Sequence, residues 1–419
     1  MRILLIHQYF LEKNDGGGSR FNEMTKVWSE QGHEVTVLAG MVHYSTGKKN
    51  QKYKGKFILN DKNFYQNVDV FRCHVSEAYN VNFLGRLWAY FSFVFSSIFA
   101  GIFKIKGKFD TIIVTSPPLF VGITAYILSK IKNIPFIFEI RDLWPESAID
   151  TGVLKSKAII NFAYKFEKFI YKKSKLINVL TPAFKEKLIK NKNIDENKII
   201  FIPNAADFSI SDNLLNSNFD IQEFRNQHNF NDKFVITYVG AHGVANHLIQ
   251  IIDAAEKLTD TNVLFLLIGD GMKKEELKNT VYNKKLKNVK FINSVPKQEV
   301  FKYILASDIG TSVLKKVDTF KTIYSNKTFD YMACKKPVLL LIDGVSRDLI
   351  EKANCGIYAE PENIEDIEQK IRYLLSLNEE ALIKLGNNGY NYAKNNFDRK
   401  ILANEYINFI NKNLNTNVL

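Results

Sequence analysis

Short apolar runs of strand length alternate along most of the chain with amphipathic stretches of helical period. Residues 3–10 form the first such run. A loop carrying Gly16, Gly17 and Gly18 follows, and the pattern then predicts a helix over 19–32 and a second strand over 35–39. Strand, glycine loop, helix and strand make a βαβ unit, which requires parallel pairing. Strand-length runs recur at 68–75, 111–115, 135–140, 176–180 and 199–202, mostly with helical stretches between them. From 203 to about 232 the pattern dissolves into Asn, Ser and Asp, which predicts a linker. A second series begins at Phe234: FVITYVG, the glycine-bearing loop AHGVAN, a helix over 247–258, then VLFLLIGDG, VKFINSV, DIGTSVL and PVLLLID. Three helical stretches, 364–377, 379–394 and 399–415, close the sequence with no strand between them, as in a tail that packs back across a domain junction. The expected architecture is α/β, with two doubly wound Rossmann-like domains over 1–205 and 233–395. Residues 206–232 would link them, and a helix within 396–419 would return toward the first domain.

Composition narrows the partners. At 419 residues the chain exceeds one ordinary core, and 46% hydrophobic with 24% charged residues describes a globular protein. Lys and Arg number 57 against 44 Asp and Glu, a formal net charge of +13, so an anionic partner is expected: a phosphate ester, an acidic bilayer face or nucleic acid. Nucleic acid is disfavoured, because the lysines are scattered along helices and no reading motif accompanies them. Cys73, Cys334 and Cys355 lie far apart, which suits a reducing compartment better than a disulfide framework. The sequence opens on a strand-like run with no small-residue cleavage site, so a cytoplasmic location is expected.

Residues 87–103, LWAYFSFVFSSIFAGIF, carry no charge and are flanked by Arg86 and by Lys104, Lys106 and Lys108. A bilayer span takes about twenty apolar residues. This run is shorter and diluted by three serines. A buried crossover helix and a helix lying in an anionic membrane surface both fit it; a true span would cut the sheet in two.

Candidate chemistry concentrates in residues 321–341, KTIYSNKTFDYMACKKPVLLL. A polar loop with Lys321, Ser325, Asn326 and Lys327 leads into a predicted helix over 328–334. Helix starts present outward N–H groups and a dipole that favours an anion. Asp330 follows Lys327 by three residues, so cation and carboxylate share one helix face. That pair suits a phosphate beside a sugar's vicinal hydroxyls, and it equally suits an ordinary surface ion pair. Arg141-Asp142-Leu143-Trp144-Pro145-Glu146 follows a strand directly and reads as a site loop stiffened by proline, or as an ion pair that shapes the loop. Arg20 adds a charge in the first turn of the helix after the glycine loop. A dinucleotide site does not fit: the glycine spacing is not G-x-G-x-x-G, and the second strand ends Leu38-Ala39-Gly40 without an acid. His7, His242 and His247 fall near predicted ligand edges without a carboxylate at useful spacing, and His242 is the one to test. No two aspartates are separated by a single residue and no His or Cys pair has zinc spacing, so no metal is expected. Lysine, arginine and helix ends would then have to neutralise any diphosphate.

Taken together, these residues resemble the GT-B glycosyltransferases of family 4, in particular their WbuB-like bacterial surface-polysaccharide branch. The resemblance runs nearly the length of the chain, through HQYF and its glycine loop, RDLWPES, GAHGVAN, IGDG and SNKTFDYMACKKPVLL. It implies two Rossmann-like domains facing across a cleft, and retaining transfer from a nucleotide sugar, commonly a UDP-sugar, held mainly by the C-terminal domain. Asp330 takes the place of a glutamate that binds the donor ribose, and Lys327 that of a lysine near the diphosphate. Gly269, Asp270, Gly271 and the strand end at Val295 fall at the nucleoside. Gly17 and Gly18 match N-domain glycines near the phosphates. His242, Gly243, Asn246, Ser325 and Asn326 complete the expected donor set. With Lys327, Arg141 would stabilise the leaving group, and Asp142 or Glu146 would orient the acceptor hydroxyl. The chain departs from the wider family in three places. Thr322 stands eight residues before Asp330, where the family has a second glutamate. Ala241 and Asn246 stand where a phosphate-binding arginine and lysine are usual, and Arg141 replaces a histidine. The branch shares these changes. The resemblance implies no cofactor beyond the co-substrate, and a glycan or a polyprenyl-diphosphate-linked sugar as acceptor, met by a protein peripheral on the inner face of the cytoplasmic membrane. A UDP-sugar epimerase of the same architecture and a non-catalytic sugar-nucleotide-binding subunit are the rival readings.

Overall fold

A computed structural model of the chain describes residues 1–13, 15, 20–43, 47–80, 83–150, 152, 154–217 and 219–415. The chain forms two compact units. Among the described residues, those up to Pro203, apart from Asp15, group with those from Leu402 onward, and Asn204–Ile401 with Asp15 form the second.

In the N-terminal unit the apolar runs become β1 (Arg2–His7), β2 (Glu34–Gly40), β4 (Val68–Cys73), β5 (Thr111–Ser116), β6 (Phe136–Ile140), β7 (Leu176–Val179) and β8 (Ile199–Phe201), joined by an unpredicted β3 (Ile58–Tyr65). Their order is β3-β4-β2-β1-β5-β6-β7-β8. Every pair is parallel except the edge strand β3, which runs antiparallel to β4 with a register shift between Asp61 and Tyr65. Continuous apolar runs suit strands covered by helices on both faces, and β5 and β6 are buried at every position. The order reverses between β1 and β5, where α/β sheets bind ligands at their carboxyl ends.

The Arg399–Asn415 helix contributes its residues from Leu402 on to this unit. The Trp28 indole N–H donates to the Ala403 carbonyl at 2.9 Å, and Tyr406 packs edge-on against the same ring. Trp28, Tyr406 and Ile410 are all fully buried. The C-terminal unit stacks β9 (Phe234–Val239), β10 (Val263–Ile268), β11 (Val289–Ile292), β12 (Ile309–Val313), β13 (Val338–Leu341) and β14 (Gly356–Tyr358) in the parallel order β11-β10-β9-β12-β13-β14. Its order reverses between β9 and β12.

Residues 206–232, expected as a linker, instead fold as two helices, Phe208–Asn216 and Ile221–His228. Asp207 and Asp220 cap their first turns by accepting from Ser209 and Glu223 N–H groups. Phe208 sits in the core of the C-terminal unit, and Phe219 packs against it. Most of the described Asn, Ser and Asp residues that read as linker are these caps and the solvent faces, while Ser211 is buried.

Candidate active site

In the C-terminal unit, two glycine turns interlock at the carboxyl ends of β9 and β10. The Gly240 N–H donates to the Ile268 carbonyl at 2.9 Å, and the His242 N–H to the Asp270 carbonyl at 2.9 Å. Gly269 has φ +143°, and a Cβ there would lie 1.9 Å from the Gly240 carbonyl oxygen, so no side chain fits between the turns. Beneath them lies a buried lysine that the sequence did not single out. Lys274 Nζ donates to the Gly269 carbonyl and to Asn293 Oδ1, both at 2.7 Å. The Asp270 carboxylate accepts from the Gly271 N–H at 2.8 Å and is otherwise exposed.

Across the switch point, the Asn326–Ala333 helix starts at Ser325, whose backbone carbonyl accepts from the Thr328 N–H at 3.1 Å. Ser325 is buried, Asn326 is exposed, and Lys327 and Asp330 are half-buried. Gly310 of β12 lets this helix approach closely, because a Cβ there would meet the Tyr331 ring at 2.1 Å. The Tyr331 hydroxyl donates to the Thr311 carbonyl at 3.0 Å and accepts from the Val239 N–H at 3.1 Å, locking the helix to both switch-point strands. Tyr331→Phe strips both partners, and we expect it to cost about 1–3 kcal/mol in urea unfolding. A ΔΔG near zero would show that this lock carries no weight.

Lys327 lies one turn earlier on the same helix. Its ammonium sits 4.8 Å from the Tyr238 ring centroid, and its Cε would be 3.3 Å from a Cβ on Gly240. Burial pushes the Lys327 amine down to about 8, with the neighbouring Asp330 carboxylate pulling the other way. The Tyr238 hydroxyl donates to the Ala241 carbonyl at 2.9 Å, and the Asn246 amide approaches the same phenol. Gly243 and Val295 are half-buried at the same strand ends, with Val295 packed on the core. Lys327 and Gly240 thus meet, and Tyr238 supports both. His242 turns inward: its ring is buried 6.0 Å from Tyr238 and 6.0 Å from Phe291, with neither nitrogen hydrogen-bonded. Burial, then Lys274, lowers its pKa to about 4, so it is neutral at pH 7 and supplies no cation.

In the N-terminal unit, Gly17 and Gly18 lie outside the described residues. Arg20 does not serve as an anion ligand. It is buried and donates to both Glu139 oxygens, at 3.0 and 3.2 Å, and to the Ile202 and Pro203 carbonyls. At the switch point, His7 Nδ1, both polar atoms of the Gln8 amide and the Thr115 hydroxyl are buried without hydrogen-bond partners. Burial, then Arg141 and Arg72, holds His7 far below its ordinary pKa, so Arg141 faces this edge as a cation beside a neutral imidazole. Burial pushes the Asp142 carboxyl up against the pull of Ser147 and the Leu143 N–H. Glu146 is committed elsewhere: one oxygen pairs with Lys192 Nζ at 2.7 Å, and that lysine also holds Glu167 at 2.6 Å. Arg141 and Asp142 therefore stand at the carboxyl edge, while Glu146 belongs to the ion network beneath it. Among the described residues, no group of three or more His, Cys, Asp and Glu comes together to hold a metal ion.

Two doubly wound units, the second with interlocking glycine turns and a lysine at its switch point, define the class, and family models agree with them along the chain. Residues 15–205 match the glycosyl transferase 4-like domain, and residues 220–392 match the glycosyl transferases group 1 model. The chain belongs to the family 4 glycosyltransferases of the GT-B fold. Among its relatives is the Escherichia coli (strain K12) protein WcaI, named provisionally as a colanic acid biosynthesis glycosyl transferase. It is 23% identical, over 98% of this chain and all of that one. The fold recurs in the sucrose-phosphate synthase of Thermosynechococcus elongatus, with a TM-score of 0.74 and 14% identity over 98% of each chain. It recurs again in Anabaena Alr3699/HepE, solved in complex with UDP and glucose. There the TM-score is 0.71 and the identity 17%, over 98% of this chain and all of that one.

Proposed function

We propose that this glycosyltransferase moves a sugar, with retention at the anomeric carbon, from a UDP-sugar to a glycan or polyprenyl-diphosphate-linked sugar in surface polysaccharide biosynthesis. It would do so without a metal, as a peripheral protein on the inner face of the cytoplasmic membrane. The observation that carries this reading is Lys327, held by Tyr238 against Gly240 at the start of a helix and at the switch point of the C-terminal sheet. The WcaI relative and the UDP-bound Anabaena protein support the substrate class by analogy. In the reaction, the bond from the anomeric carbon to the diphosphate breaks and its electron pair leaves with UDP. The acceptor oxygen bonds that carbon on the same face and passes its proton to an oxygen of the departing diphosphate. Negative charge grows on the departing diphosphate, and Lys327 with the N–H groups of the Asn326–Ala333 helix supplies positive charge fixed beforehand. Asp330 on the same helix face takes the ribose hydroxyls. Arg141 and Asp142 act at the N-terminal edge, where the acceptor binds.

A thermal-shift panel of nucleotide sugars tests this. The right donor should stabilise the protein by about 2.7 kcal/mol when present at 100 times its Kd. A protein shifted by no UDP-sugar loses the donor assignment. Conversion of a UDP-sugar with no acceptor present would move the assignment to an epimerase, and donor binding without turnover on any acceptor would leave only a binding subunit.

A further inference from the structure

We infer that one face of the N-terminal unit, built on the Phe83–Phe99, Val121–Lys132 and Lys157–Lys173 helices, docks flat on an anionic lipid bilayer. The reason for docking rests on the proposed lipid-linked acceptor; the surface itself rests on the following geometry.

The Phe83–Phe99 helix buries Ala89, Phe93 and Val94 together with its serines, and still turns a row of large apolar side chains outward. Leu84, Trp88 and Phe95 are each more than half exposed, as is Phe103 in the turn that follows. Intervals of four and seven residues place Leu84, Trp88, Phe95 and Phe99 on one stripe. The opposite, buried face carries the polar groups. Ser92 and Ser97 donate to carbonyls three residues back, and Ser97 also meets the Thr124 hydroxyl at 2.9 Å. Burial of apolar area in water drives the reverse arrangement, so an outward aromatic stripe of this length marks an interaction surface.

Ring contacts carry the apolar surface across the neighbouring helices. Phe91 packs on Phe120 at 4.9 Å, Phe120 on Phe166 at 5.7 Å, and Phe166 stacks with the exposed Phe162 at 6.3 Å. Cations flank it. Lys104, Lys106 and Lys108 are exposed beyond the first helix, and Lys165, Lys168 and Lys172 are exposed on the Lys157–Lys173 helix. That helix has a single acid, Glu167, which is buried and paired with Lys192. Aromatics between lysines, with no exposed carboxylate on either helix, complement anionic headgroups over an acyl boundary.

The stretch Leu84–Lys104 is long and apolar enough to cross a membrane, with mean hydropathy 1.4. However, much of this stretch is buried in the unit, Ala89 and Phe93 wholly so. Ser92 Oγ accepts from the Ser76 N–H at 2.8 Å, and Ser96 Oγ donates to the His74 carbonyl at 2.7 Å. Spanning would break these contacts, whereas lying in the membrane plane keeps them. Trp144 packs edge-on against Phe120 at 5.8 Å, so the loop bearing Arg141 and Asp142 is attached to the docking face.

Co-sedimentation of the full chain with phosphatidylcholine vesicles, with and without phosphatidylglycerol, tests the inference, with Trp88 emission as a second readout. Expected are binding that requires phosphatidylglycerol, a blue shift of tryptophan emission that Trp88→Gln removes, and release by salt. Trp88→Gln/Phe95→Gln/Phe103→Gln should lose binding at an unchanged melting temperature. Lys104→Gln/Lys106→Gln/Lys108→Gln should weaken it by about 100-fold, at roughly five-fold per lysine. Wild-type protein that stays in the supernatant with every vesicle, or an aromatic variant that binds equally well, overturns the inference. A lipid-free dimer dissolved by the aromatic variant would assign the face to a second copy instead. Transfer to a water-soluble, short-chain acceptor without vesicles reports on the proposed function alone, so docking by an inactive enzyme would sink that function and leave this surface standing.

Discussion

Replacing Lys327 with alanine should lower kcat with a UDP-sugar by about 100-fold or more, equivalent to about 2.7 kcal/mol of lost transition-state stabilisation. The size follows from the charge balance at the helix start. A helix N-terminus supplies roughly half a positive charge, too little alone against a departing diphosphate. Gly240 and Tyr238 confine the lysine, so its charge is in place before the reaction begins. Its amine is pushed down to about 8 by burial, so the free enzyme carries the cation below that pH and loses it above. The kcat/KM profile should therefore fall as pH rises through about 8, and Lys327→Arg should move that fall beyond the measured range even at reduced rate. An unchanged rate for the alanine variant would remove Lys327 from the mechanism.

Arg20→Met should destabilise the protein by about 3–5 kcal/mol in urea unfolding, because it leaves the buried Glu139 carboxyl without its partner. Both side chains are almost wholly inaccessible. Glu139 also accepts from Asn178 Nδ2 at 2.8 Å, and Asn178 Oδ1 accepts from the Ile202 N–H at 2.9 Å. Arg20 itself donates to the Ile202 and Pro203 carbonyls, so the network holds the last residues before the second unit begins. The double variant Arg20→Met/Glu139→Leu should recover much of the loss by removing the orphaned carboxyl. Equal instability of single and double variants would show that the carbonyl contacts, not the ion pair, carry the effect.

The strands of both sheets could be read from the sequence because parallel strands covered on both faces are plain apolar runs. β3 escaped because ILNDKNFY is an antiparallel edge strand with largely polar, solvent-facing positions, and β14 because it is only three residues long. The helices at Phe208–Asn216 and Ile221–His228 escaped because their capping aspartates and polar faces look like loop composition. In the candidate site, the place of Lys327 at a helix start was legible because it follows a polar loop. Lys274 was not: KKEELK reads as a solvated helix start, and only the approach of Gly269 and Asn293, distant in sequence, buries it. Tyr331 and Gly310 likewise gain their roles from a packing contact that no local pattern announces. The partners of Arg20 and Glu146 were hidden for the same reason, since a charge near a ligand edge looks alike in sequence whether it meets a ligand or a buried partner.

The indole of Trp28 finds its acceptor at Ala403, 375 residues later. A ribosome therefore releases nearly the whole polypeptide before the first unit can close over that ring. Synthesis order and assembly order are opposed here, and the early segment must wait, with Trp28 uncovered, while the second unit is made. Premature termination near residue 401 would thus damage the half of the molecule that was made first.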